Sequence, residues 1–178
     1  MLRPDSPHRP EEAAPLIVTA VLGAADFLWA DNLRKRYYPA ERNALPAHLS
    51  LFRHLPPSLE DELKRELGKA ARGARPKARV DGVMSLANGL AISVRSPDLM
   101  EIWEELATRF AGLLMPLDQS PPRFHITVQN KVAPHIARET RGHLEALVIS
   151  RPLVIQGLAC WRYLGGPWAT VSSYGFRG

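Results

Sequence analysis

The sequence predicts an α+β fold built from a duplicated α/β unit, and three observations support this. Short β-branched runs alternate with amphipathic segments of helical period. The order strand, helix, strand, helix occurs twice. His48 and His125 are 77 residues apart, and so are Pro57 and Pro134, so the two copies keep one offset. Coincidence of the two offsets is the alternative to duplication.

The length of 178 residues suits one substantial core and is too short for two domains of typical size. We therefore expect a single domain over residues 15–178, preceded by a flexible N-terminal tail over residues 1–14. The tail holds three prolines and lacks the apolar run of a secretory signal. The apolar stretch 15–30 contains Asp26 and is too short for a membrane span, so no membrane partner is expected.

The sequence contains one cysteine, Cys160, which cannot form an intrachain disulfide. A single cysteine in an apolar context favours a reducing compartment, so we expect the chain to be cytoplasmic. The oligomeric state is left open, and a monomer is compatible with the composition.

The first half of the chain predicts two strands and two helices. Residues 16–22 are apolar and β-branched, which is typical of a buried strand. Residues 24–37 predict a helix that ends before Pro39. We expect one face of that helix to be apolar, formed by Phe27, Leu28, Leu33 and Tyr37. A strand over residues 47–53 and a charged helix over residues 57–73 follow.

The second half predicts a hairpin first, because Asn88-Gly89 tolerates the positive φ of a tight turn between strands. Acidic residues in the first turns of the next helix complement its dipole. The predicted elements are strands 78–86 and 90–95, helix 98–114, strand 124–130, helix 134–149, and strands 153–163 and 169–174 joined by a turn at residues 165–167.

Two strands carry an imidazole and a hydroxyl on the same face. Side chains alternate along a strand, so His48 lies beside Ser50, and His125 lies beside Thr127. If the two halves pack about a pseudo-twofold axis, all four groups face one cleft. In-line displacement at phosphorus needs a base on one side and an acid on the other, and histidine serves both roles near neutrality. The hydroxyls can donate hydrogen bonds to the non-bridging oxygens.

These motifs resemble those of the 2H phosphoesterases, which include bacterial and archaeal 2′-5′ RNA ligases and cyclic phosphodiesterases. The signature of that family is two copies of His-x-(Ser/Thr)-x. The copies here are His48-Leu49-Ser50-Leu51 and His125-Ile126-Thr127-Val128. Residues 161–168 are also similar to the C-terminal segment of bacterial ligase-like members, and the resemblance extends over residues 15–176.

The resemblance implies a bilobal fold of pseudo-twofold symmetry, with antiparallel-rich sheets lining a central cleft and helices outside. It implies that His48 and His125 are the catalytic pair and that Ser50 and Thr127 bind the substrate phosphate. The implied activity is a metal-independent phosphodiesterase acting on 2′,3′-cyclic phosphate or 2′-5′-linked RNA ends, with 2′-5′ ligation as the reverse reaction. Which histidine is the base is left open.

Further substrate contacts are expected near the motifs and the C-terminal strands. The candidates are Arg53, Lys131, Tyr163 and Arg162, with Arg42 and Arg123 as further cations and Trp161 and Trp168 as rings that stack on a base or pack in the core. The net charge of +5 favours encounter with RNA or nucleotide phosphodiesters.

Neither motif has a carboxylate, cysteine or third histidine beside it in a ligand-like spacing, so we expect no metal and no cofactor. Two alternatives stay open. The chain could be a non-catalytic RNA- or nucleotide-binding module that uses the same cleft, or it could act on a small nucleotide or sugar phosphodiester.

Overall fold

The computed structural model describes residues 13–178. Of the predicted tail, residues 1–12 lie outside the described part. Ala14, which the tail was expected to include, is buried. The backbone becomes part of the sheet at once, since the N–H of Tyr163 donates to the carbonyl of Pro15 at 2.9 Å.

Seven strands and four α-helices make up the described part of the chain. The strands are β1 (Leu16–Leu22), β2 (Leu49–Leu55), β3 (Lys77–Leu86), β4 (Gly89–Arg95), β5 (His125–Gln129), β6 (Arg151–Tyr163) and β7 (Trp168–Gly175). The helices are α1 (Ala24–Tyr37), α2 (Glu60–Ala70), α3 (Pro97–Arg109) and α4 (Pro134–Leu147). No helix within residues 13–178 is long and apolar enough to cross a membrane.

All seven strands join one antiparallel sheet in the order β1-β2-β5-β4-β3-β6-β7. An additional pairing of β1 with β6 closes six of them into a ring. The mixed fold of helices and antiparallel strands is therefore as predicted. The strands of the two halves form one continuous sheet, and the duplicated, bilobal arrangement stays a prediction.

β1 is buried on both faces and paired along both edges, which explains its nearly unbroken apolar sequence. One face of the sheet packs against the helices through a single core cluster, to which α2 contributes Leu63 and Leu67 and α3 contributes Leu99 and Trp103. Because these contacts occupy one face, the polar side chains of β2 and β5 are left to the other.

The bounds of α1 are confirmed. Of its predicted apolar face, Leu33 lies in the core and Phe27 and Tyr37 pack against it, and the prediction is wrong for Leu28. Leu28 is 57% exposed, whereas Asp26, Asp31 and Arg34 are buried. These charged groups bond to backbone far away in the chain, as Asp26 does to the N–H of Val154 at 2.7 Å. Burial of a charge is tolerated where such partners exist, and the charged face of α1 therefore holds the backbone of β5, of β6 and of the loop before His48.

The predicted turn at Asn88-Gly89 is displaced by one residue. The loop consists of Ala87 and Asn88, while Gly89 already belongs to β4 and pairs with Leu86. A Cβ on Gly89 would lie 1.9 Å from the carbonyl oxygen of Gln129. Glycine is therefore needed at this position for the close approach of β5 and not for a positive φ.

Smaller differences concern the ends of elements. The helix predicted over residues 98–114 ends at Arg109, and a turn with Gly112 at φ 86° follows. The helix predicted from Pro57 begins with a single 3₁₀ turn, Pro57–Leu59, before α2. The strand predicted from residue 47 begins at Leu49, so that His48 immediately precedes β2.

Candidate active site

The two motif strands are neighbours in the sheet. β2 and β5 are antiparallel, with Leu49 paired to Ile126. Antiparallel geometry then sets His48 opposite Thr127 and Ser50 opposite His125, all on the face opposite the buried Leu49 and Ile126. Diagonal positions in such a pair lie about 7–8 Å apart, so the two histidines are separated by a span that fits one phosphate group.

One cleft of about 720 Å³ is lined by both histidines and both hydroxyl residues. Arg53 and Arg123 also line it. The cleft thus brings together two imidazoles, two hydroxyls and two guanidinium groups from the two motif strands and the segments beside them. An anionic group would be attracted to this arrangement.

Both imidazoles are oriented by the same local hydrogen bond. The Nδ1–H of His48 donates to the carbonyl of Pro46 at 2.8 Å, and that of His125 donates to the carbonyl of Arg123 at 2.6 Å. A carbonyl only accepts, so Nδ1 carries a proton in each ring. In the neutral ring Nε2 is then left with its lone pair, which is the tautomer that a general base requires.

The surroundings of His48 favour its neutral form. Its ring packs against Trp168, with the ring centroids 4.7 Å apart. Burial lowers the pKa of His48, and the positive charges of Arg34 and His125 lower it further, against the hydrogen bond to Pro46, which raises it. His48 is therefore suited to accept a proton near neutral pH.

A buried arginine, which the motifs did not reveal, lies beneath the two strands. Arg34 on α1 donates from Nη1 to the carbonyl of Thr127 at 3.0 Å and from Nε to the side chain of Asn43 at 2.7 Å. Its guanidinium lies 4.3 Å from the centre of the Tyr38 ring. One side chain thus connects the second motif to the loop that leads into the first.

Asp31, one turn earlier on α1, fixes the same loop. Its carboxylate accepts the N–H of Ala47, the residue before His48, at 2.9 Å and pairs with Lys35 at 3.0 Å. Burial alone would raise the pKa of Asp31, but these two hydrogen bonds and the charges of Lys35 and Arg34 lower it below its usual value. The carboxylate is therefore ionised at neutral pH and holds the backbone next to His48.

Asp118 holds the far end of β2. This carboxylate is buried and accepts the N–H groups of Arg53 at 2.9 and 3.1 Å and of His54 at 2.8 Å. It thereby satisfies backbone groups at the point where β2 has left β5. Neither Asp118 nor Arg34 belongs to a sequence motif. Asp118 follows the apolar residues 115–117, whereas the charged neighbours of Arg34 give no signal of its burial.

The other predicted contacts fall into two groups. Arg53 lines the cleft, as Arg123 does, whereas Lys131, Tyr163 and Arg162 do not. Arg162 instead pairs with Glu60 on α2. Lys131 is exposed and has φ 60°, and its carbonyl accepts a hydrogen bond from Arg42 at 2.9 Å. Within residues 13–178, no group of three histidine, cysteine or acidic side chains is placed to hold a metal ion.

Comparisons with known proteins report on the family and the fold of the chain. A family model described as the 2′-5′ RNA ligase superfamily matches residues 23–167. A search of the curated proteins gives no match.

Solved structures share the fold at low sequence identity. TT0787 of Thermus thermophilus is 15% identical with a TM-score of 0.62, covering 92% of this chain and 98% of that chain. LigT of E. coli was solved with NADP+, at 14% identity and TM-score 0.61, and with 3′-AMP, at 16% identity and TM-score 0.61. Both of these LigT matches cover 93% of this chain and 99% of that chain.

Proposed function

Since the chain belongs to the 2′-5′ RNA ligase superfamily, we propose that it is a metal-independent phosphodiesterase of the 2H type. Its substrates are 2′,3′-cyclic phosphate or 2′-5′-linked RNA ends, and 2′-5′ ligation is the reverse reaction. The observation that carries the proposal is the cleft in which two imidazoles, each with Nδ1 bonded to backbone, lie diagonally across two paired strands. We place this activity in the cytoplasm.

His48 is the base and His125 is the acid when a cyclic phosphate is opened. Nε2 of His48 takes a proton from water as the water oxygen forms a bond to phosphorus. The bond from phosphorus to the leaving ribose oxygen breaks, and His125 gives that oxygen a proton. In ligation a ribose hydroxyl replaces water as the nucleophile, and each histidine keeps its role. The two roles exchange in the reverse step, in which a 2′-5′ linkage is cleaved back to the cyclic phosphate.

Ser50 and Thr127 hold the charge that develops on the phosphate. Each hydroxyl lies opposite the histidine of the other strand and beside the histidine of its own. Both therefore point at the space between the imidazoles, where they donate to the non-bridging oxygens. Arg53 on the wall of the cleft adds positive charge and contacts the substrate backbone.

A nucleotide is the substrate type that the neighbours favour. LigT of E. coli was solved with 3′-AMP and with NADP+, and we carry a nucleotide-type ligand over to this cleft as part of the proposal.

We also propose that the chain arose by duplication. The series β1-α1-β2-α2 and β4-α3-β5-α4 support this, because each places a motif strand after its first helix.

The proposal is tested by turnover of 2′,3′-cyclic mononucleotides, cyclic-ended oligonucleotides and 2′-5′-linked dimers in the presence of a chelator. We expect chelator-resistant turnover that falls roughly 10²–10⁴-fold in His48→Ala and in His125→Ala. His143→Ala, an exposed histidine on α4, is the matched control and keeps full activity.

Two results would contradict the proposal. Loss of turnover on adding chelator would indicate metal-dependent chemistry. Binding of these ligands with no turnover, unchanged by either substitution, would indicate a non-catalytic RNA- or nucleotide-binding module that uses the same cleft.

A further inference from the structure

We infer that an apolar cavity on the far side of His48 binds an uncharged, apolar part of the substrate. The substrate class is then a phosphodiester that carries one bulky apolar or aromatic arm. This inference rests on the proposed function, because it takes the phosphate to lie between the two histidines.

The cavity has a volume of about 580 Å³ and adjoins the catalytic cleft. It is lined by β1, the beginning of α1, the loop before His48 and the β6–β7 hairpin. His48 is the one described residue that lines both spaces. An arm attached to a phosphate held at His48 therefore has a direct path into the cavity.

The chemistry of the walls excludes a charged arm. Phe27, Leu45 and Pro167 are typical of the lining, and apart from His48 none of the lining side chains is ionisable. Besides the indole N–H groups of two tryptophans, the other polar side chains of the lining are Thr19 and Gln156. A phosphate or carboxylate in this space would lose its hydration without gaining a charged partner.

Two tryptophans form flat walls of the cavity, and one of them has no free hydrogen-bond donor. The indole N–H of Trp161 already donates to the hydroxyl of Thr19 at 2.9 Å. The ring centroids of Trp168 and Trp161 are 6.1 Å apart, with the two ring planes at 50°, and the Trp168 ring also packs against His48. The indoles thus offer apolar faces, on which an arm stacks with little hydrogen-bond discrimination.

The size and position of the cavity also distinguish it from a packing defect. Protein interiors hold few voids larger than a water molecule. A space of about 580 Å³ falls in the range of small-molecule sites, roughly 300–1,000 Å³. Gln156, Ala24 and Ala44 on its walls are exposed, so the space opens to solvent and a ligand can enter.

A series of cyclic phosphodiesters with one reacting group tests the inference. Glycerol 1,2-cyclic phosphate carries no apolar arm, decane-1,2-diol cyclic phosphate carries an alkyl arm, and adenosine 2′,3′-cyclic phosphate carries a nucleobase. We expect KM to be at least roughly tenfold lower for an armed substrate than for the glycerol compound. Of the two substrates that carry an arm, the one with the lower KM shows whether the natural arm is a nucleobase or an alkyl group.

Variants that fill the cavity provide the decisive comparison. Ala24→Trp and Ala44→Trp place a bulky ring in it, whereas Ala25→Trp adds the same ring at the next, exposed position of α1, which does not line it. We expect both filling variants to raise KM for the armed substrates roughly tenfold and to leave the glycerol compound unchanged. Equal effects on all three substrates, or no effect on any, would overturn the inference.

Binding distinguishes failure of the inference from failure of the proposed chemistry. Calorimetric titrations compare inorganic phosphate with octyl phosphate and adenosine 3′-phosphate. We expect the unaltered chain and Ala25→Trp to bind at least one organic phosphate roughly tenfold more tightly than inorganic phosphate. Ala24→Trp and Ala44→Trp should lose this preference. That result supports the cavity as a binding site even if no substrate is turned over. Equal affinity for all three phosphates in every variant would overturn it.

Discussion

The motif segments of β2 and β5 have the same local chemistry and different surroundings. In each, the imidazole donates to the carbonyl two residues earlier, and a hydroxyl follows two residues later. His125 lines only the cleft, whereas His48 also borders the apolar cavity and packs against Trp168. Local sequence thus fixes the tautomer of each ring, and the tertiary surroundings make the two rings unequal.

The two strands also differ in how their backbones are held. β5 pairs with β4 through both motif residues, Ser93 to His125 and Ala91 to Thr127. β2 pairs with β1 at Ser50 but depends on the carboxylate of Asp118 at its far end. Side chains from other elements thus hold both ends of the first motif strand, whereas the second is held by its pairing with β4 and by Arg34 at Thr127.

The largest expected effect separates the acid from the base. A p-nitrophenyl phosphodiester releases an acidic phenol that needs no proton, so His125→Ala should regain most of its 10²–10⁴-fold loss on this substrate. His48→Ala should not, because the nucleophile still needs a base. The measurement is kcat on the activated and unactivated substrates for both variants. Recovery in His48→Ala alone would reverse the assignment.

The next effect concerns the two hydroxyls. Ser50→Ala and Thr127→Ala each remove one donor to the phosphate oxygens, and we expect kcat to fall roughly 10²-fold in each with little change in KM. Thr127→Ser keeps the hydroxyl and should retain activity within a few-fold. Steady-state kinetics on one substrate make the comparison. An alanine variant as active as Thr127→Ser would exclude that hydroxyl from the reaction.

A stability measurement checks the unequal support of the strands. Asp118→Asn removes a buried carboxylate that accepts backbone N–H groups, and we expect a loss of about 2 kcal/mol in the free energy of unfolding. Asp98→Asn is the control. The Asp98 carboxylate also accepts a backbone N–H, from Lys77 at 2.8 Å, but it is exposed to solvent, so this substitution should lower the free energy of unfolding by less. Urea unfolding measures both. Equal losses would mean that burial of Asp118 does not matter.

The smallest effect is a shift in pH dependence. A lowered pKa of His48 places the acid limb of kcat/KM below the ordinary histidine value of about 6.5. Arg34→Met removes a positive charge that disfavours protonated His48, so the pKa rises and the acid limb moves to higher pH. Arg42→Met, an exposed arginine that also donates to a carbonyl, is the control. If Arg34→Met stays active and its acid limb does not move, then the charge of Arg34 does not lower the pKa of His48.

Much of the local structure followed from the sequence. The bounds of β1 and α1 agree with the prediction residue by residue, because β-branched runs and a proline stop are local signals. The polar face of α1 could not be predicted, since the partner of Asp26 is 128 residues away. Arg162 was expected at the substrate and instead pairs with Glu60. This pair could not be predicted, because the residues around Arg162 in the sequence do not indicate that α2 packs beside it.

By itself the sequence determined the order of strands and helices, the two imidazole-hydroxyl motifs and the family to which they point. Backbone preferences and side-chain alternation act over a few residues, so a single chain reveals them. Only the tertiary structure decided that β2 and β5 are neighbours, that α1 turns charged groups inward, and that Trp168 covers one imidazole. Those facts depend on contacts between distant segments, and these contacts make His48 and His125 unequal.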